Sequence, residues 1–260
     1  MNAPIPLSLR GLQISFGGNR VLEDVSIDFA AGFNGLVGPN GAGKTTAFNA
    51  VCGYVEPQEG EILIDGRAVS RRAPAAVSRL GVGRTFQAPR LVLEMSVIDN
   101  VLLGQHNHVR QSHLVELLGF SSARRAEAEA RDEARSLLGR FGLAHRAEED
   151  ARSVPLGSQK LVEICRALAS RPRILLLDEP AAGLGVDDVD TMVEGLQSEQ
   201  RSRGMCVVMI EHDLHLVQRL CPFVGVMHFG RIIAAGAPAD VVRDPTVIVA
   251  YLGASVAVEG

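Results

Sequence analysis

Gly38-Pro39-Asn40-Gly41-Ala42-Gly43-Lys44-Thr45 is the stretch whose reading decides the fold of this 260-residue chain. It matches G-x-x-x-x-G-K-[ST], a loop whose backbone N–H groups surround a phosphate. Glycines permit the tight turn and the close approach of backbone to anion. The apolar run 33–37 just before it predicts a strand, and residues 44 to about 54 predict a helix. A helix starting there points its positive end at the same anion. Lys44 is then placed to reach the β- and γ-phosphates of ATP, and the Thr45 hydroxyl to ligate Mg²⁺. The nucleotide-binding candidates are Gly38, Pro39, Asn40, Gly41, Ala42, Gly43, Lys44, Thr45 and Thr46. Lys44 and Lys160 are the only lysines among 26 basic residues, so the lysine in this loop is not a casual one.

Toward the N-terminus the pattern is that of strands. Leu7, Leu9, Leu12 and Ile14 precede the turn signal Phe16-Gly17-Gly18-Asn19, and Val21, Leu22, Val25, Ile27 and Phe29 follow. Residues 61–65 form a further strand, ended by Asp65-Gly66. From 88 to 152 helix formers dominate. Residues 122–141 form a solvated amphipathic helix, with Leu137, Leu138 and Phe141 at helical spacing. An α/β alternation then resumes. Helices are expected at 158–170, 186–203 and 213–220, and strands at 173–177, 205–210, 223–228 and 231–235. Short helices follow over 237–252, and the last few residues read as frayed. Such alternation implies a mostly parallel sheet covered on both faces. The expectation is one α/β domain over 1–260, with a helical subdomain inserted at about 88–170.

The bulk properties limit what the chain does. A net charge of −4 gives no pull toward nucleic acid or anionic lipid. The apolar runs have strand length, and Met1-Asn2-Ala3-Pro4 lacks a signal peptide's charged head and apolar core, so the expected location is the cytoplasm. Cys52, Cys165, Cys206 and Cys221 share no C-x-x-C spacing and read as buried reduced thiols.

The second chemical signal is Arg173-Ile174-Leu175-Leu176-Leu177-Asp178-Glu179. An apolar strand ending in two acids is costly unless the acids meet a cation or do chemistry. Asp178 is placed to hold Mg²⁺, and Glu179, one residue on, to polarise an attacking water.

In the order of these motifs the chain resembles the nucleotide-binding subunit of ABC transporters along essentially its whole length. The resemblance implies a P-loop NTPase core with an antiparallel N-terminal β subdomain and an inserted helical subdomain. It implies that Phe16 stacks on adenine, and that Gln87, in Arg84-Thr85-Phe86-Gln87, joins Mg²⁺ and water to the membrane partner. It makes His212, in Ile210-Glu211-His212-Asp213, a switch histidine that contacts the γ-phosphate. The catalytic candidates are Glu179, His212 and Gln87, and the metal candidates Thr45, Gln87 and Asp178.

Two stretches depart from the family pattern. Where the family has Leu-Ser-Gly-Gly-Gln opening a helix, this chain has Val154-Pro155-Leu156-Gly157-Ser158, and only Gly157 matches. Pro155 would supply neither a hydroxyl nor an N–H to a γ-phosphate. Gly185 stands where many relatives carry Asp. Subunits of this family pair head to tail, each ATP lying between one P-loop and the other's signature. The chain therefore has a complete half-site and a weak signature for its partner's ATP. A heterodimer with a second ABC ATPase is expected, with a homodimer tolerant of a loose signature as the alternative. Pro180-Ala181-Ala182-Gly183-Leu184, Arg84-Thr85-Phe86-Gln87, Asp99-Asn100-Val101-Leu102, Ile210-Glu211-His212-Asp213 and the ending Asp244-Pro245 to Tyr251-Leu252-Gly253 are similar to the ATPases of branched-chain amino-acid importers. Urea and lipopolysaccharide-export ATPases share several of these. The implied partners are integral-membrane permease subunits and a solute-binding protein, and not nucleic acid. A soluble ABC nucleotide-binding module with no membrane partner is the reading from another class.

Overall fold

The protein's structure, a computed structural model, describes residues 5–105 and 120–256. Met1-Asn2-Ala3-Pro4 and the last four residues lie outside them. The strands are β1 (Leu7–Phe16), β2 (Asn19–Phe29), β3 (Gly32–Val37), β4 (Glu59–Ile64), β5 (Arg67–Ala68), β6 (Val82–Arg84), β7 (Ile174–Asp178), β8 (Cys206–Ile210), β9 (Phe223–His228) and β10 (Arg231–Gly236). The described α-helices are α1 (Lys44–Val51), α2 (Pro74–Arg79), α3 (Val97–Gly104), α4 (Phe120–Arg140), α5 (Leu156–Ala169), α6 (Val186–Arg203), α7 (Leu214–Leu220), α8 (Pro238–Val241) and α9 (Pro245–Val256). Among the described residues no helix is long and apolar enough to cross a membrane.

The chain divides into two compact units. The first comprises Met1–Val82, Arg173–Glu179 and Gly204–Gly260. In it β2-β1-β4-β5 form an antiparallel sheet. Its first hairpin turns on Gly17 and Gly18, both at positive φ (53° and 85°), as a two-residue turn between twisted strands requires. A second sheet runs β10-β9-β3-β8-β7-β6; β3 is parallel to β8 and β9, β7 is parallel to β8, and β10 is antiparallel to β9. Every residue of β7 and β8 is buried, as strands covered on both faces must be. Each buried leucine of β7 contributes about 1.5–3 kcal/mol of apolar burial.

Strand register positions the site. Leu36 of β3 and Asp178 of β7 both pair with Ile210 of β8. The residues that follow, Gly38, Glu179 and His212, therefore leave the sheet at one edge. That edge is the carboxyl end of the parallel strands, where open α/β sheets bind ligands.

The second unit comprises Gly83–Pro172 and Pro180–Arg203. It is wider than the stretch 88–170, because α6 belongs to it. The α6 backbone comes so close to Phe141 that a Cβ built on Gly195 would lie 2.9 Å from that ring. Buried Glu199 of α6 pairs with Arg140 and Arg203. In α4, Leu137, Leu138 and the following Phe141 are buried, as their helical spacing predicts. Helix α3 is capped by Ser96, whose hydroxyl accepts the Asp99 N–H at 3.1 Å and donates to Asp99 Oδ2 at 2.7 Å. It packs so tightly on α5 that a Cβ on Gly104 would sit 2.0 Å from the Arg166 carbonyl oxygen. Gly104→Ala is therefore expected to cost about 3 kcal/mol and lower Tm by about 6–12 °C, readable by thermal unfolding.

Several boundaries differ from the sequence expectation for local reasons. Helix α1 ends at Val51 rather than near Tyr54, because Gly53 adopts φ 74° and a Cβ there would meet the Arg72 carbonyl at 2.3 Å. Helix α5 starts at Leu156, two residues early, with Pro155 outside it as N-cap. Helix α7 starts at Leu214, because Asp213 is its cap, accepting the N–H groups of His215 (2.8 Å) and Leu216 (3.2 Å).

Candidate functional site

The loop 38–43 joins β3 to α1, and its glycines are forced by geometry. Gly38 has φ 147°, and a Cβ there would lie 2.0 Å from the Met227 carbonyl oxygen on β9. Gly43, the N-cap of α1, has φ 102°, and a Cβ would meet Leu22 at 2.7 Å and the Val21 carbonyl at 2.8 Å. Only glycine fits either position. The turn between β9 and β10 braces the loop: Gly230 N–H donates to the Ala42 carbonyl at 3.0 Å, and Glu23 N–H to the Gly230 carbonyl at 2.8 Å. Nothing in the sequence pattern marked that brace, since it depends on contacts distant along the chain.

The first turn of α1 is built for an anion. Its N-cap is a glycine with no side-chain cap bond, and no acidic residue lies in the turn. Helix-start N–H groups left this way suit a phosphate, which the helix dipole also favours. Lys44, 6% exposed, donates from Nζ to the carbonyls of Gly38 at 2.7 Å and Pro39 at 2.9 Å. An ammonium has three donors, one more than these two bonds use. Burial pulls the Lys44 pKa below its ordinary value, and the negative charges of Glu179 and Asp178 pull it back up. Those attractions place both acids in the electrostatic neighbourhood of the loop lysine. Thr45 is exposed and Thr46 half-buried at the start of the same helix.

Asp178 is buried at the end of β7. Glu179 follows at φ 50°, a left-handed conformation unusual for a glutamate and of the kind found at functional sites. Its backbone N–H donates to the Ile210 carbonyl at 2.9 Å, which ties the strained residue to β8. Its Oε1 lies 3.1 Å from His212 Nε2. The His212 N–H in turn donates to Oε2 of buried Glu211 at 3.2 Å. A carboxylate held by an imidazole and carried on a strained turn is the geometry of an oriented base. Sequence alone named both residues without pairing them, because they are 33 positions apart.

Phe16 ends β1 and is 51% exposed, so its ring is accessible to a base. Gln87 is exposed but belongs to the second unit, as does the stretch 154–158, so neither is placed with the cluster above. At the start of α5, Gln159 Nε2 donates to the Val154 carbonyl at 3.1 Å. The proline costs less than its sequence position implied. As N-cap, Pro155 removes a side-chain cap but not the N–H groups of Leu156, Gly157 and Ser158, which open the helix.

A metal that needs many protein ligands does not suit the described residues: no group of three or more His, Cys, Asp or Glu is arranged to hold one. A hydroxyl at Thr45 and a carboxylate at Asp178 instead suit Mg²⁺, which binds through one or two side chains plus phosphate oxygens and water. The four cysteines are buried and free, and burial pushes Cys206 and Cys221 up to about 12, which keeps both thiols protonated and unreactive.

Residues 22–182 match the family model described as ABC transporter, and residues 231–257 match the one described as branched-chain amino acid ATP-binding cassette transporter. The chain is 37% identical over 254 residues to the high-affinity branched-chain amino acid transport ATP-binding protein LivG of Escherichia coli (strain K12), covering 97% of this chain and 99% of that one. It is 38% identical over 257 residues to BraF of Pseudomonas aeruginosa, of the same description, with 97% and 99% covered. The lipopolysaccharide export system ATP-binding protein LptB of Acidithiobacillus ferridurans is 34% identical over 249 residues, with 95% and 96% covered. Among solved structures, an ATP-binding cassette of an ABC transporter in its ADP conformation aligns with TM-score 0.80 at 28% identity, covering 96% of this chain and 99% of that one. A nucleotide-free cassette aligns with TM-score 0.80 at 27% identity, covering 95% and 98%.

Proposed function

The chain belongs to the ABC transporter ATP-binding family, and on that premise we propose that it powers an importer of branched-chain amino acids. The observation that carries the substrate class is the likeness to two branched-chain amino acid transport ATP-binding proteins over 97% of the chain. The C-terminal match over 231–257 supports the same class. Export of a lipopolysaccharide is the second reading, favoured by the likeness to LptB.

The chain binds and hydrolyses ATP, and its own residues suit the following roles. Phe16 stacks on adenine. Gly38 through Thr46 hold the phosphates through backbone N–H groups, the α1 dipole and the Lys44 charge. Thr45 and Asp178 would hold Mg²⁺, which when bound would neutralise phosphate charge, and Gln87 keeps the role that the family resemblance implies for it. Glu179 orients and polarises the attacking water. His212, beside it, steadies the Glu179 carboxylate and contacts the γ-phosphate.

The proposed assembly pairs this chain with a second ABC ATPase on permease subunits at the cytoplasmic face of the membrane, with a solute-binding protein completing the system. The partner ATPase is a different chain, because the 154–158 stretch retains only one signature residue. One preparation tests both points. Cells lacking this chain are complemented with it, labelled leucine uptake is measured, and the complex is purified with its subunits counted. Restored uptake and two distinct ATPases are expected. Leucine uptake that does not depend on the chain overturns the substrate class, and two copies of one chain overturn the heterodimer.

A further inference from the structure

Helix α5 carries a carboxylate that none of the roles above uses. Glu163 is 2% exposed, and a buried carboxylate is costly unless its oxygens are met. Its Oε2 accepts the Phe86 N–H at 3.2 Å, and its Oε1 accepts the Arg90 N–H at 3.0 Å. Arg166, one turn on, approaches Glu163 Oε1 at 3.4 Å and donates from Nη1 to the Arg90 carbonyl at 2.6 Å. One helix face thus grips both ends of the segment 86–90, whose second residue is Gln87. The segment is stiffened from its own side as well. The Arg90 guanidinium lies 4.1 Å from the Phe86 ring centroid and that of Arg84 4.9 Å. Burial raises the Glu163 carboxyl above its ordinary range, against the pull of the Arg90 and Phe86 N–H groups and the Arg166 charge.

The same helix begins at Leu156, with Pro155 as its cap, in the stretch aligned with the family signature. We propose that Glu163 is a positioning residue that locks the Gln87 segment to α5, so that Gln87 and the N-terminal end of α5 move as one body. The proposal rests on the roles given above to Gln87 and to residues 154–158. Two backbone N–H groups bonded to one buried carboxylate leave little freedom between loop and helix. A shift of α5 at its signature end is then delivered directly to Gln87, whose neighbour Phe86 is 77 residues from Glu163 in sequence but bonded to it through this clamp.

The test uses the full-length chain with its partner subunits and MgATP. Glu163→Gln keeps one acceptor oxygen but presents an NH₂ group to the other backbone N–H. The expected result is about tenfold faster hydrogen exchange at the Phe86 or Arg90 amide, a kcat lower by about 5–10-fold, and a KM for MgATP within about twofold of wild type. Tm is expected to stay within about 3 °C, which separates positioning from simple destabilisation. Amides that exchange at the wild-type rate overturn the clamp, and a wild-type kcat despite fast exchange overturns its positioning role. If Glu163→Gln fails to fold, Arg166→Gln removes the bond to the Arg90 carbonyl and is read at the same amides with the same outcomes. Gln87→Ala run in parallel separates the two layers. An unchanged kcat there sinks the role of Gln87, while the exchange rates still decide the clamp.

Discussion

Glu179→Gln is expected to lower kcat for ATP hydrolysis by about 100-fold or more while MgATP binds within a few-fold of wild type, because general-base catalysis supplies an effect of that size. The two side chains have the same shape. The amide oxygen can still accept from His212 Nε2, now 3.1 Å from the carboxylate. The backbone at φ 50° asks no more of Gln than of Glu. The Ile210 carbonyl bond depends on the Glu179 main chain and survives. What is lost is the negative charge that, in the role proposed for Glu179, takes a proton from water. The proposed phosphate site lies elsewhere, on the loop 38–43 and the start of α1, so affinity is expected to be preserved. Nucleotide titration and single-turnover hydrolysis of the purified protein check the two halves separately. Hydrolysis at the wild-type rate would remove Glu179 from the role of base. The variant also loses a charge that raises the Lys44 pKa, so Lys44 is expected to titrate slightly lower in it.

Lys44→Ala is expected to weaken ATP binding by about 100-fold or more and to abolish measurable turnover with it, since a buried charge-assisted contact is worth several kcal/mol. Lys44 is the one lysine of the first unit, and its ammonium already spans the Gly38 and Pro39 carbonyls. Removing it takes away the cation at the phosphate position and leaves those carbonyls without this donor. It also removes the positive charge that offsets Asp178 and Glu179. The fold should survive, because alanine is a good first residue for a helix and α1 is held by Ala47, Phe48 and Val51 in the core. Titration with a fluorescent nucleotide reads the affinity, and thermal unfolding in buffer alone reads the fold. Tight binding by a folded Lys44→Ala protein would contradict the geometry of the loop. Lys44→Arg should not restore activity, because a planar guanidinium cannot reproduce a compact ammonium bonded to two carbonyls.

Glu163→Gln differs from both in where its effect is felt. The roles proposed for Glu179 and Lys44 lie at the reacting phosphates, whereas Glu163 bonds to the segment that carries Gln87. A loss of kcat without loss of affinity is common to Glu179→Gln and Glu163→Gln, and backbone exchange at Phe86 and Arg90 tells them apart.

Much of this protein was legible in its sequence. The P-loop reads directly, because glycines at Gly38 and Gly43 are demanded by backbone geometry and Lys44 by charge. Helix α6 and strand β9 fall at 186–203 and 223–228, as expected from strong local patterns. Short elements were less visible. Helix α2 and strand β6 are too brief to show a period, and α1 stops at Gly53 because of a contact with Arg72 that lies 19 residues on. The membership of α6 in the second unit was equally hidden. Its packing on Phe141 and its ion pair with Arg140 depend on residues more than 50 positions earlier, at the end of α4.

By itself, then, the sequence determined the chemistry: a phosphate loop, an acid pair ending an apolar strand, and a histidine after another strand. These depend on residue types at fixed local spacing, which chain geometry carries over to space. Tertiary structure alone decided how the parts meet. Pairing Leu36 and Asp178 with the same Ile210 aligns three strand ends, and only then does His212 come within 3.1 Å of Glu179. The Glu163 clamp on Phe86 and Arg90 is of the same kind. Strand register and buried hydrogen bonds are contacts between distant residues, selected by burial of the whole core rather than by any local pattern.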